Sequence, residues 1–128
     1  MEKRNRITII AGIIALVIII GLLFYAGRAE GGPGKFDGFA QCLKDKGVIF
    51  YGAFWCPHCQ NQKALFGSSK KYLPYVECST ANSQGQIEIC KANKIANYPT
   101  WAFADQSTTT GEMALAALSE KTGCELPR

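Results

Sequence analysis

Residues 48–59, Val-Ile-Phe-Tyr-Gly-Ala-Phe-Trp-Cys-Pro-His-Cys, constrain the fold more than any other stretch of this chain. An apolar run of β-branched and aromatic residues reads as a buried strand, and it ends in two cysteines three positions apart. A helix-forming segment, Gln60 to Phe66, follows at once. The chain is therefore expected to deliver both cysteines from a strand into the first turn of a helix. Unpaired backbone N–H groups and the positive end of the helix dipole favour a thiolate at the first cysteine. Such a junction makes a reactive dithiol.

The chain has 128 residues, enough for one domain and an appendage. Ile7 to Ala26 carries no charge. At the rise of an α-helix it spans roughly 30 Å, the thickness of a bilayer's hydrocarbon core. Lys3, Arg4 and Arg6 precede it, whereas Arg28 and Glu30 nearly cancel behind it, so the N-terminus is expected in the cytoplasm and the remainder outside. A cleaved signal peptide, with Gly27-Arg28-Ala29 near the cut, is the competing reading; the apolar run exceeds the roughly 7–15 residues of a signal core. The expected organisation is a basic cytoplasmic cap (1–6), a transmembrane anchor (7–26), a Gly-rich linker (27–35) and one domain (36–128). This describes a single-pass cell-membrane protein with an extracytoplasmic domain. The net charge of +4 is modest, and without a basic stripe interleaved with aromatics no nucleic-acid partner is expected. Six cysteines behind a membrane-crossing segment point to disulfides.

Within the domain, Phe36, Phe39, Ala40 and Leu43 recur at helical spacing, with Asp37 a candidate N-cap and Gly47 placed to end the helix. The strand 48–54 and the cysteine-bearing helix come next. Leu73 to Cys78 reads as a short strand, with Pro74 favouring its start or a sheet edge. Gln86 to Lys94 reads as a short helix, Thr100 to Ala104 as a strand with Ser107 to Thr110 as hairpin partner, and the residues after Gly111 as a closing helix. The order α, β, α, β, α, β, β, α implies a parallel first strand pair with a right-handed crossover, and a terminal hairpin. The expected fold class is α/β: a mixed central sheet flanked by helices, after one transmembrane helix.

Cys56 and Cys59 lie on one helix face and can close a disulfide. A thiolate at Cys56 attacks a substrate disulfide, Cys59 resolves the mixed disulfide, and the reverse order oxidises a substrate dithiol. Half of a zinc site is the alternative, but the other cysteines are dispersed and His58 is the sole histidine. No metal or cofactor is expected, and Gln60 stands where a haem-attachment motif needs histidine. His58, when protonated, can stabilise the neighbouring thiolate and make the disulfide more oxidising. Cys78 and Cys90 suit a structural disulfide closing a loop of about a dozen residues. A second, electron-relaying redox pair is the competing reading. Cys42 and Cys124 pair by elimination, with two buried free thiols as the alternative.

The chain resembles the thioredoxin superfamily from about Phe36 to its C-terminus. The likeness rests on Trp55-Cys56-Pro57-His58-Cys59, on Tyr98-Pro99-Thr100 about forty residues later, and on Gly111 before the last helix. Phe50-Tyr51-Gly52-Ala53, Gln62-Lys63, Leu65-Phe66-Gly67, Tyr75 to Ser79 and Tyr98 to Trp101 resemble a narrower branch. It comprises the thioredoxin-like domains associated with homologues of vitamin K epoxide reductase. The resemblance implies a thioredoxin-like fold, an exposed nucleophile at Cys56, a buried resolving thiol at Cys59, and Pro99 as a cis-proline facing them. Pro57-His58 matches the pair in the oxidising periplasmic member DsbA. Trp55, Tyr98, Pro99 and Thr100 are the expected substrate-binding residues, although core packing also suits the two aromatics, Trp55 especially. The chain departs from thioredoxin in having Phe50 where that protein has a buried Asp, six residues before the first cysteine. Deprotonation of Cys59 then falls to Glu77, water or a partner.

The function these readings imply is thiol–disulfide exchange outside the cytoplasm. Substrate protein thiols would be oxidised, and electrons passed in trans to a quinone-reducing membrane partner similar to vitamin K epoxide reductase. A tethered reductase and a non-catalytic copper- or peptide-binding module are the rival readings.

Overall fold

A computed structural model describes residues 2–27 and 32–128 and divides into two units, residues 1–32 and Pro33–Arg128. Met1, residues 28–31 of the expected linker, and the side chains of residues 2–4 in the basic cap and of residues 25–27 at the end of the expected anchor lie outside the description.

The first unit is one helix, α1 (Glu2–Gly27). Its stretch Asn5–Phe24 is long and apolar enough to cross a membrane, and no part of that stretch is buried against protein. Signal sequences share those properties, so length and composition leave the helix as a candidate span.

The second unit contains α2 (Asp37–Asp45), β1 (Ile49–Gly52), α3 (Pro57–Leu65), a 3₁₀ segment (Gly67–Tyr72), β2 (Tyr75–Glu77), α4 (Glu88–Ala92), β3 (Thr100–Ala102), β4 (Thr108–Thr110) and α5 (Leu115–Thr122). The four strands form one sheet in the order β2-β1-β3-β4. β1 runs parallel to β2, with Phe50 opposite Tyr75, and antiparallel to β3, with Tyr51 opposite Thr100. β3 and β4 form an antiparallel hairpin. A mixed sheet with helices packed against it, in this order, is a thioredoxin-like fold.

Side chains on a strand alternate between faces, and β1 uses both. Phe50 faces the larger core, with Phe39, Ala40 and Leu43 of α2, Cys59 of α3 and Leu118 of α5. Its neighbours Ile49 and Tyr51 face a smaller cluster built around Cys78, Cys90 and Ile95. Pro74 sits just before β2, which is an edge strand, and its carbonyl accepts the Phe50 N–H at 2.9 Å. A proline is tolerated there because it stands ahead of the paired residues Tyr75–Glu77, so its missing N–H interrupts no ladder bond.

Two local expectations are corrected. Asp37 is the first residue of α2 rather than its cap; Phe36 holds the cap position, and the Asp37 carboxylate accepts the Gly34 N–H at 2.8 Å. Here the Ser69, Asp37 and Ser68 side chains crowd the place of a Gly34 β-carbon, so a larger residue would have to displace them. The helix expected over 86–94 is shorter, running only through α4 (Glu88–Ala92), where Cys90 is buried and Ile89 is 51% exposed.

Candidate redox site

β1 ends at Gly52, and the chain crosses through Ala53, Phe54 and Trp55 to Cys56, which caps α3 in extended geometry. Pro57 is the first helical residue, a position where its missing N–H costs nothing. Cys59 follows inside the first turn. Both are free thiols.

Cys56 is less open than the resemblance implied. Only 6% of the residue is exposed, because its Sγ points under the Tyr98 carbonyl, at 3.7 Å. Cys59 is fully buried. A β-carbon on Gly52 would lie 2.9 Å from Cys59 Sγ and 2.8 Å from Tyr75 Cε2, so the glycine makes room for the thiol and the ring together. Burial pushes the Cys59 thiol up to about 12; the Ala53 backbone pulls it down, a hydrogen bond between the two thiols raises it, and Lys63 lowers it.

Among the described residues, no carboxylate acts on that thiol. Phe50 is buried between Trp101 and Tyr75, with ring centroids 4.6 and 5.3 Å away. Glu77, the carboxylate that the sequence offered as a base, is already engaged. One oxygen accepts the backbone N–H groups of Phe54 and Ser79 at 3.2 and 2.9 Å, and the other accepts the Tyr75 hydroxyl at 2.6 Å. Burial first, and then the bond to Glu77, push the Tyr75 phenol upward, so it stays a protonated donor.

His58 turns toward the segment before α5, where its Nδ1 donates to Glu112 Oε1 at 2.6 Å. The Asn61 amide donates to the same oxygen at 3.2 Å. Both donors hold the Glu112 carboxyl below its usual range, His58 contributing most. One turn beyond Cys59, the buried Gln62 amide accepts the Met113 N–H at 2.6 Å and donates to the Met113 carbonyl at 3.0 Å. Three α3 side chains thus clamp residues 112–113. Sequence reasoning missed Glu112, Asn61 and Gln62. Gln62 was the one detectable in principle, since an amide at i+3 from a buried cysteine must find partners.

The opposing wall comes from the loop before β3. Its Tyr98–Pro99 peptide bond is cis, and Pro99 is buried, its carbonyl accepting the Gly111 N–H at 2.8 Å. Tyr98 is half-buried and its hydroxyl accepts from Gln86. Trp55 is 50% exposed, which overturns core packing for it; its indole N–H donates to Ser79 Oγ at 2.8 Å and its ring meets Tyr98 edge-on at 6.1 Å. Phe54 beside it is 46% exposed. Thr100 differs from a docking residue: it is 5% exposed, and its hydroxyl donates to the Asn97 carbonyl at 2.8 Å, which fixes the loop.

The remaining cysteines form two disulfides, Cys78–Cys90 and Cys42–Cys124, spanning 12 and 82 residues. Cys78–Cys90 sits in the smaller apolar cluster, whereas Cys56 and Cys59 belong to the larger one. Among the described residues, no three His, Cys, Asp or Glu side chains group to hold a metal ion.

No family model matches the chain. It is similar to a protein of Arabidopsis thaliana named Thiol-disulfide oxidoreductase LTO1, at 42% identity over 91 residues. That match covers 68% of this chain, which spans 24% of the relative's length.

Proposed function

We propose that the chain is a membrane-anchored, extracytoplasmic thiol–disulfide oxidoreductase whose reacting pair is Cys56 and Cys59. The observation that carries this reading is the pair of free thiols at the start of α3, one beneath the Tyr98 carbonyl and the other sealed behind it. The name of the Arabidopsis relative supports the same chemistry.

In the oxidising direction, a substrate thiolate attacks Cys56 Sγ of the Cys56–Cys59 disulfide. The bond between the two cysteines breaks, Cys59 leaves as a thiolate and takes up a proton, and a mixed disulfide joins Cys56 to the substrate. A second substrate thiolate attacks the substrate sulfur and releases Cys56. Two electrons now reside on the dithiol and two substrate thiols have become a disulfide. We assign their removal to a quinone-reducing membrane protein of the vitamin K epoxide reductase type acting in trans. The motif resemblance supports this. Trp55, Tyr98 and the Pro99 loop form the wall against which a substrate segment would lie, with His58 held at its edge.

The Cys56–Cys59 potential tests the direction. A value nearer the about −120 mV of DsbA supports the oxidase, and one near the about −270 mV of thioredoxin overturns it in favour of a reductase. Identification by mass spectrometry of proteins trapped on the Cys59→Ser variant would name the substrates and test the partner assignment.

A further inference from the structure

Both exchange directions require a thiolate at Cys59, as attacking group in one and leaving group in the other, yet this thiol is fully buried. The strand position that could supply an acid is Phe50, and the nearby Glu77 has both oxygens occupied. Among the described residues, one charged side chain acts on the thiol. Lys63 is one helical turn after Cys59, on the same face of α3, since residues four apart are neighbours. Its Nζ lies 3.3 Å from the centroid of the Tyr75 ring, which borders the space left by Gly52 as Cys59 Sγ does. Lys63 also lines a solvent-open groove with Gln60, Ala64, Lys70 and Tyr75.

We propose that Lys63 is the positioning residue that lets the buried Cys59 thiol ionise: its ammonium, held against Tyr75 at the groove wall, stabilises the Cys59 thiolate. The proposal rests on the redox-dithiol reading above. In the reducing direction, the Cys59 thiol gives up its proton to solvent, and the Lys63 ammonium balances the charge left on sulfur. The resulting thiolate attacks Cys56 Sγ of the mixed disulfide, the Cys56–Cys59 bond forms, the bond to the substrate sulfur breaks, and the substrate leaves as a thiolate protonated by water. In the oxidising direction the same ammonium stabilises Cys59 as it departs.

The electrostatics agree with the geometry. Burial lowers the Lys63 ammonium from its ordinary range, Glu77 and Cys59 raise it, and Lys70 lowers it. Lys63 in turn draws Cys59 down against burial and against the influence of Cys56. Tyr75, bonded to Glu77, completes the set of titratable groups at this contact.

The test uses reduced full-length protein and a chromogenic aromatic disulfide, followed by stopped flow from mildly acid to alkaline pH. Attack by Cys56 releases the first chromophore, and resolution by Cys59 releases the second. Lys63→Met and Lys63→Gln should slow the second phase about three- to tenfold, because a unit of thiolate acidity is tenfold in population and a more acidic thiol returns part of that as weaker nucleophilicity. The first phase should be unchanged, which also shows that the variants are folded. The deficit should be widest where the native lysine is charged and narrow as rising pH neutralises it. Lys63→Arg should restore the second phase. An unaltered second phase in both neutral variants, equal slowing of both phases, or failure of Lys63→Arg to rescue would overturn the proposal. If the native protein shows no second phase at all, the redox reading itself fails.

Discussion

Cys56–Cys59 and Cys78–Cys90 flank the same pair of strands, and both pairs are shielded from solvent, but they are built for opposite ends. Cys78 follows β2 and is fully buried, like its partner Cys90, with Tyr51 and Ile95 packed around the bond. Cys56 is nearly as buried, yet what covers it is a loop carbonyl and the proline behind it, bordered by exposed Phe54 and Trp55. Burial does not separate the Cys78–Cys90 disulfide from the two free thiols. On the proposed reading the difference lies in the kind of cover: packed side chains over the disulfide, and over Cys56 a backbone carbonyl bordered by exposed aromatics.

The strongest way to break this contrast is to remove its reactive member. Cys56→Ser should abolish exchange, measured as insulin reduction or dithiol oxidation. Cys59→Ser should keep the first attack and accumulate mixed disulfides, seen as adducts on non-reducing gels. Unchanged turnover in both would falsify the catalytic assignment.

Replacing the other pairs by serine should cost stability instead. Under the chain-entropy account, Cys42–Cys124 is worth about 4–5 kcal/mol and Cys78–Cys90 about 3 kcal/mol, because the first closes the longer loop. Denaturant unfolding measures both. Exchange at Cys56 should survive loss of Cys78–Cys90 at temperatures where the variant is folded; its collapse there would instead make that pair an electron relay.

A smaller effect is expected at the clamp behind the site. Gln62→Leu leaves both Met113 backbone groups without their partner and should cost about 1–3 kcal/mol by the same unfolding measurement. The smallest concerns Glu112. Its carboxyl is held below the ordinary 4.5, so its contribution is present above that value and is lost as pH falls through the lowered one. The difference in melting temperature between native protein and Glu112→Gln should therefore be seen at neutral pH and vanish in strong acid.

The element order and the mixed sheet were legible because they depend on local signals. The apolar run ending in Cys-Pro-His-Cys sets a strand and then a helix, and Pro74 marks an edge. The surroundings of the dithiol were not, because they come from pairing across long separations. Cys56 meets the Tyr98 carbonyl because β1 pairs with β3, setting Tyr51 opposite Thr100; no spacing in the chain states that. The His58–Glu112 contact joins residues 54 positions apart. Trp55 carries the composition of a core residue, and its exposure follows from a hydrogen bond to Ser79 that anchors the indole at the rim. Phe50 was visible as a departure, but its meaning required seeing that the Tyr75 ring packs on Phe50 and Lys63 on Tyr75.

The most direct test is a redox titration of the full chain in glutathione or dithiol buffers, with each disulfide mapped by peptide mass. The account predicts that Cys56–Cys59 cycles reversibly at a potential above about −270 mV, while Cys78–Cys90 and Cys42–Cys124 stay oxidised to below about −300 mV, as structural disulfides do. Reduction of Cys78–Cys90 together with, or ahead of, Cys56–Cys59 would contradict it.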